Sequence, residues 1–257
     1  MKIKILGAHN TESKNTKYMC LLIDEKLALD AGGLTSSLSF DEQCKLQAIL
    51  LTHGHYDHIR DIPALAINLY LRGLSIDIYT HKAVYDNLTQ FLLNGKLYSE
   101  FHKKIPSAQS SVNLHIIEAL QQFNIDGYKV IPVSVKHSIP TMGYQISDQS
   151  GKTIFYSGDT GSGLSEIWSL ISPQVLFIEV TSDNRWAEAG QAHGHLTPQH
   201  LQHELLSFRH INGYLPRVIT VHMNPVDENT IQTEIAEVAK SVGTSIELGF
   251  EGMEIEI

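Results

Sequence analysis

The densest chemistry in the chain lies in one short run, Leu51-Thr52-His53-Gly54-His55-Tyr56-Asp57-His58. Three histidines and a carboxylate so close together are rarely structural. Imidazole with carboxylate suits zinc, manganese or iron. The run follows the apolar stretch 48–51, which reads as a buried strand. Side chains of an extended segment repeat every two residues, so His53 and His55 project to one side. The turn that follows can swing Asp57 and His58 toward a second point nearby, and Gly54 leaves room for a tight backbone path.

Such a run needs partners, and three ligand-type residues supply them. His137 follows the apolar run VIPVSV, Asp159 stands in Ser157-Gly158-Asp159-Thr160-Gly161 directly after TIFY, and His222 follows VITV. Any one of them alone is more simply a packed or solvated side chain. Together, each at the end of a buried-looking strand, they call for a metal centre. A second pair stands apart from this set. Glu179 closes the run LFIEVT, and His195 lies in Gly194-His195-Leu196-Thr197-Pro198 at a helix start. The plain reading is an ion-paired carboxylate and a polar residue flanking a helix. The functional reading is that Glu179 binds one ring nitrogen of His195, fixing its tautomer and favouring the imidazolium. His195 could then hold a phosphate oxygen and protonate a departing alkoxide.

These residues need a scaffold. Strand-like runs occur at 2–6, 18–23, 28–30, 48–52 and 76–80, then at 114–117, 128–135, 143–147, 153–156, 175–180, 218–221 and near 246–257. Between them, Asp61 is placed to cap a helix with Pro63 in its first turn, running to Gly73. Residues 84–93 and 164–171 also read as helices. Thr197-Pro198 opens another, with Leu201, Leu205 and Phe208 on one face, and Ile231, Ile235, Val238 and Val242 line the last. Strands that alternate with helices predict a layered α/β fold in which two sheets face each other under outer helices, with the chemistry on loops leaving the strand ends. The 257 residues, 42% hydrophobic and 18% charged, suit one globular domain over 1–257.

Charge narrows the partners. Nineteen Lys and Arg against 28 Asp and Glu give a net charge of −9, and no basic patch marks a grip on long nucleic acid. A small anionic substrate held at metal ions remains compatible with an acidic protein. No apolar run approaches the ~20 residues of a membrane span, and MKIKIL reads as a first strand and not as a signal peptide, which points to the cytoplasm. Cys20 and Cys44 show no ligand spacing and read as free buried thiols. The segment 81–111 carries Phe91, Leu92, Leu93, Leu97, Tyr98 and Phe101, which suggests an apolar helical lid or the contact of a homodimer.

The motifs HGHYDH, VKHS, SGDTG and VHMN, with LALDAGG at 27–33 as a second-strand turn, resemble the metallo-β-lactamase superfamily in its phosphodiesterase branch. The resemblance runs from residue 3 to about 225. It implies a four-layer αββα sandwich and two divalent metal ions, with Zn²⁺ expected and Mn²⁺ or Fe²⁺ as alternatives. In that pattern His53, His55 and His137 hold one ion, Asp57, His58 and His222 hold the other, and Asp159 bridges both. The pair LFIEV and GHLTP looks like that of transfer-RNA 3′-processing ribonucleases. With the final His222-Met223-Asn224-Pro225, it looks still more like class II cyclic-nucleotide phosphodiesterases, and phage anti-Pycsar phosphodiesterases share the compact plan. Tyr56 departs from that group, which has Leu there. The expected function is hydrolysis of 3′,5′-cyclic nucleotides to nucleoside monophosphates by a metal-bridged hydroxide. Asp57 would accept a hydrogen bond from the nucleophile and His195, oriented by Glu179, would act on the leaving group. The alternatives are a transfer-RNA 3′-processing endonuclease and a lactone or thioester hydrolase on the same scaffold.

Overall fold

In the computed structural model, which describes residues 1–104 and 109–257, two mixed sheets stack with helices on their outer faces. The strands of the first sheet begin with β1 (Lys2–Gly7), β2 (Cys20–Ile23), β3 (Leu27–Leu29), β4 (Ala48–Leu50), β5 (Ile76–Thr80) and β6 (Val112–Ile116). The second sheet takes β7 (Phe123–Ile125), β8 (Tyr128–Val135), β9 (Thr141–Ser147), β10 (Thr153–Tyr156), β11 (Val175–Glu179), β12 (Arg217–Val221) and β13 (Ile246–Leu248). The chain then returns to the first sheet, where β14 (Glu254–Glu256) pairs antiparallel with β1.

Each sheet is antiparallel on one side and parallel on the other. The parallel runs are β3-β4-β5-β6 and β10-β11-β12-β13. Ligands of parallel sheets collect beyond the carboxyl ends of the strands, and that is where the ligand-type residues lie.

Strand alternation builds the layers. Ala48 and Leu50 of β4 join the core between the sheets, while Ile49 and the following Leu51 face the helix layer. In β11, Val175 and Phe177 turn inward, and Leu176 and Ile178 turn toward the other helix layer. Each Val, Leu, Ile or Phe among them, removed from water, contributes ~1.5–3 kcal/mol. The helices Pro198–Asn212 and Glu228–Val242 cover the second sheet through the stripes Leu201, Leu205, Phe208 and Ile231, Ile235, Val238, Val242, as their periodicity predicts. The result is the expected four-layer αββα sandwich.

Several elements differ from expectation. Asp61 precedes the helix Ile62–Tyr70 without capping it; its carboxylate instead accepts from the backbone N–H of Thr35 at 2.7 Å and from Arg60 Nε at 2.9 Å. The run 246–257 is two strands in two different sheets. The helix Ala187–His193 was not predicted because none of its side chains is buried, so no apolar stripe marks it. β7 was overlooked although Asp126-Gly127, both at positive φ, is a hairpin signal between Ile125 and Tyr128. The apolar segment 81–111 is divided. Val84, Leu88, Leu93 and Phe101 are buried, Phe91 and Leu97 are exposed, and the part at 105–108 lies outside the described residues. Cys20 is buried, Cys44 is half-buried, and both are free thiols. Among the described residues no helix is long and apolar enough to cross a membrane.

Candidate metal centre

The loops after β3, β4, β8, β10, β11 and β12 converge at one end of the sandwich. Three imidazole nitrogens meet first. His55 Nδ1 lies 3.0 Å from His53 Nε2 and 3.1 Å from His137 Nε2. Asp159 Oδ2 stands 3.5 Å from His53 Nε2 and 3.8 Å from His137 Nε2. On the other side of Asp159, its Oδ1 is 3.2 Å from His58 Nε2, and its Oδ2 is 3.4 Å from His222 Nε2. Asp57 Oδ2 closes that second group at 3.2 Å from His222 Nε2 and 3.7 Å from His58 Nε2. All seven ligand-type residues predicted from sequence are thus brought together, in two groups that share Asp159.

The far side of four of the five rings explains why the inner nitrogen is free. Asp30, which follows β3, is fully buried and receives His58 Nδ1 at 2.7 Å, the Thr52 hydroxyl at 2.9 Å and the Tyr156 hydroxyl at 2.8 Å. Because the Thr52 hydroxyl donates to Asp30, its oxygen accepts from His53 Nδ1 at 3.0 Å. Thr181 repeats the relay: its hydroxyl donates to Glu179 at 2.8 Å and accepts from His222 Nδ1 at 2.9 Å. His137 Nδ1 donates to the carbonyl of Gly194 at 2.9 Å. The Nδ1 of His53, His58, His137 and His222 is therefore occupied on the far side and Nε2 faces the centre, the arrangement that metal-ligating histidines require, while His55 turns its Nδ1 inward instead.

These residues fit a pair of divalent ions. Buried polar groups are nearly always hydrogen-bonded, yet buried His58 Nε2 and Asp159 Oδ1 have no hydrogen-bond partner among the described residues. The inner nitrogens of His53, His55 and His137 also converge, and with the first and last committed to an Nδ1 proton, a single His55 proton cannot satisfy both. Cations resolve both problems. Burial, followed by the charge of neighbouring histidines, lowers His53 and His55 from the ordinary histidine value, and burial also lowers His137. Burial opposes ionisation of Asp159, but His222, His58 and His53 outweigh it and hold the carboxyl well below the usual range. Asp57, against burial and beside His58 and His222, falls to about 2. His58 goes the other way: against burial, Asp159, Asp30 and Asp57 raise it well above the ordinary histidine value, so an ion at its Nε2 would take the place of a proton.

The chain belongs to the beta-lactamase superfamily domain family. Residues 34–223 match it. A Ribonuclease Z of Acaryochloris marina is 27% identical over 159 residues, which cover 58% of this chain and 48% of that protein. The chain spans about half the length of the curated relatives it matches. Among solved structures, the metallo-beta-lactamase fold protein YhfI of Bacillus subtilis superposes with a TM-score of 0.79 at 17% identity, covering 99% of both chains. Unliganded yeast PDE1 superposes at 0.84 and 17% identity, covering 100% of this chain and 99% of that one. At that identity the likeness shows the shared fold.

His195 and Glu179 meet as expected. Glu179, 1% exposed, accepts from His195 Nδ1 at 2.8 Å, and its oxygens are also held by the backbone N–H groups of Thr160 at 3.0 Å and Leu196 at 3.2 Å. Burial pulls the His195 imidazolium down, but the adjoining Glu179 charge outweighs it and leaves the pKa at about 9. The His195 ring stacks on His222 with centroids 5.6 Å apart and an interplanar angle of 12°. With Asp159 and His222 it also brings ligand-type atoms within 4.8 Å of one another, so it borders the second group. Gly194 makes this corner feasible. Its φ is +76°, and a Cβ there would lie 2.6 Å from His137 Cα.

Residue type and spacing alone do not single out Asp30, Thr52 or Thr181. One signal was available. Asp30 stands in LALDAGG at the end of an apolar strand, the same placement that singled out His53, Asp159 and His222. A further mark is visible only in three dimensions: Asp30 and His222 are non-glycine residues at positive φ, 58° and 64°. Such backbone strain, roughly 1–3 kcal/mol per residue, persists where the surroundings impose it, commonly at functional sites.

Proposed function

We propose that this protein is a dinuclear metal-dependent phosphodiesterase whose substrates are 3′,5′-cyclic nucleotides. The observation that carries the reading is the His195 ring, held through Nδ1 at 2.8 Å by the buried Glu179 carboxylate and bordering the candidate metal centre. His53, His55, His137 and Asp159 would hold one divalent ion, Asp57, His58, His222 and Asp159 the other, with zinc suited to the imidazole-rich set. Ions there would act as Lewis acids, bringing a water's pKa toward neutrality and offsetting charge on phosphorus. The protein's own contribution is order. Asp30, Thr52, Thr181 and the Gly194 carbonyl fix the rings of His53, His58, His137 and His222, and Asp57 offers an oxygen to the attacking water's proton. Glu179 keeps His195 protonated near neutral pH, and His195 gives that proton to the 3′-oxygen as its bond to phosphorus breaks. A 3′-alkoxide is strongly basic and needs this proton; a p-nitrophenolate does not. The net charge of −9 favours a small anion over a long one.

The names of the curated relatives support a second reading, transfer-RNA 3′-processing. Lactone or thioester hydrolysis would leave His195 without a task. A panel of cyclic AMP, cyclic GMP, cyclic pyrimidine nucleotides, precursor transfer RNA, bis-p-nitrophenyl phosphate and a lactone separates all three. His195→Ala should slow cyclic AMP hydrolysis on the order of 10²-fold, slow the p-nitrophenyl ester much less, and keep its metal. Loss of metal in that variant would make His195 a ligand. Processing of precursor transfer RNA with every cyclic nucleotide untouched would replace the first reading with the second.

A further inference from the structure

Between His55 and Asp57 stands Tyr56, an aromatic residue that the chemistry above does not use. It is 62% exposed. Consecutive Cα atoms are ~3.8 Å apart, so its backbone lies one residue from a ligand position on either side. Single exposed aromatics are ordinary; what distinguishes this one is its support. Tyr18 meets it nearly at right angles, with ring centroids 6.3 Å apart and an interplanar angle of 82°. The Arg60 guanidinium lies 5.2 Å from the centroid of the Tyr18 ring. Arg60 is itself fixed, by Asp61 at 2.9 Å and by Glu12, and Asp61 is tied to the backbone of Thr35. Gly32 lets this assembly close on the metal loop. A Cβ at Gly32 would lie 1.9 Å from the Asp57 carbonyl oxygen and 2.6 Å from Tyr18 Cβ. Two carboxylates, a guanidinium and Tyr18 therefore form a bracket that ends in an open aromatic ring, carried on the backbone between the ligand positions His55 and Asp57.

A braced ring loses little conformational freedom when a ligand packs on it. A planar nucleobase is the matching chemistry, because every base offers a π-face and stacking tolerates base identity. We infer that Tyr56 is a specificity-determining residue that stacks the nucleobase of the substrate while the phosphodiester occupies the metal centre. This inference rests on the nucleotide reading above. It makes the enzyme tolerant of base identity and selective against phosphates that carry no base.

The test is calorimetric binding to the metal-loaded protein, with AMP and ribose 5-phosphate as the pair of probes. Wild type should bind AMP the more tightly. Tyr56→Ala should weaken AMP binding roughly tenfold, the usual scale for removing one stacking partner, and should leave ribose 5-phosphate binding where it was. Tyr56→Phe and Tyr56→Trp should bind AMP nearly as wild type does. The inference is overturned if Tyr56→Ala leaves AMP affinity unchanged, if both probes weaken equally, if Tyr56→Phe behaves like Tyr56→Ala, or if wild type does not distinguish the two probes. Turnover of cyclic AMP by wild type is scored separately. Base-dependent binding through Tyr56 without turnover keeps the platform and rejects the substrate; turnover with binding indifferent to Tyr56 does the reverse.

Discussion

Asp30 and Glu179 do the same work in the two halves of the molecule and reach different ends. Each is a buried carboxylate at or just past the end of a strand, Asp30 in the first sheet and Glu179 in the second. Each accepts from a threonine hydroxyl that in turn accepts from a histidine Nδ1, Thr52 to His53 and Thr181 to His222. Each also takes one histidine Nδ1 directly, His58 for Asp30 and His195 for Glu179. The difference is where that last ring stands. His58 is fully buried against Asp159, whereas the His195 side chain is 22% exposed. One half therefore spends its carboxylate on two ligand-type rings. The other spends it on one such ring and on one cation at the open side. One device, repeated in both sheets, thus orients a buried ligand-type ring in one half and a ring at the open side in the other.

The residue common to both halves should matter most. Asp159→Ala removes an oxygen from each group, so metal analysis should show at least one ion lost. The rate should fall by more than the roughly 10–100-fold typical of changes behind the ligands. Wild-type metal content and rate in this variant would dissolve the shared centre on which the comparison rests. Asp30→Asn comes next. It leaves His53 and His58 poorly oriented, so metal affinity measured against a chelator should drop roughly 10–100-fold. A buried group left with the wrong partners costs about 1–3 kcal/mol, which thermal unfolding should register. If Asp30→Asn binds metal as wild type does, the two halves are not equivalent. Glu179→Gln should have the smallest effect at neutral pH and the most telling profile. A His195 pKa of about 9 keeps the acid form present below that pH and loses it above. Removing the negative charge lowers the pKa, so the alkaline limb of the cyclic AMP rate profile should move to lower pH. An unmoved limb would show that Glu179 supports the fold without setting the charge of His195.

The sequence revealed the ligand-type residues better than their supports. His53, His55, Asp57 and His58 are crowded into one run, and His137, Asp159 and His222 each follow an apolar strand, so residue type and position reveal them together. The two long amphipathic helices were legible for the same reason, since a 3.6-residue stripe survives in the sequence. Asp30, Thr52 and Thr181 each depend on at least one partner distant in the chain, and nothing local separates a threonine that links a histidine to a carboxylate from one that fills a strand. The helix Ala187–His193 buries no side chain, so its formation left no hydrophobic signature. The division of 246–257 between two sheets depends on a turn, with Gly252 at φ +88°, and alternation alone reads straight through it.

That division also bears on how the protein comes to be folded. β1 lies between β2, its neighbour in the chain, and β14, where Lys2 aligns with Glu256. Pairings between such remote stretches are entropically the slowest to form. The ligand loops themselves come from both sheets, so the two groups that share Asp159 cannot exist as a set until the sheets have stacked. The candidate metal centre is therefore complete only in the stacked sandwich. Cations added at the start of refolding should leave the early rate alone and act at the end, by holding the finished sandwich closed.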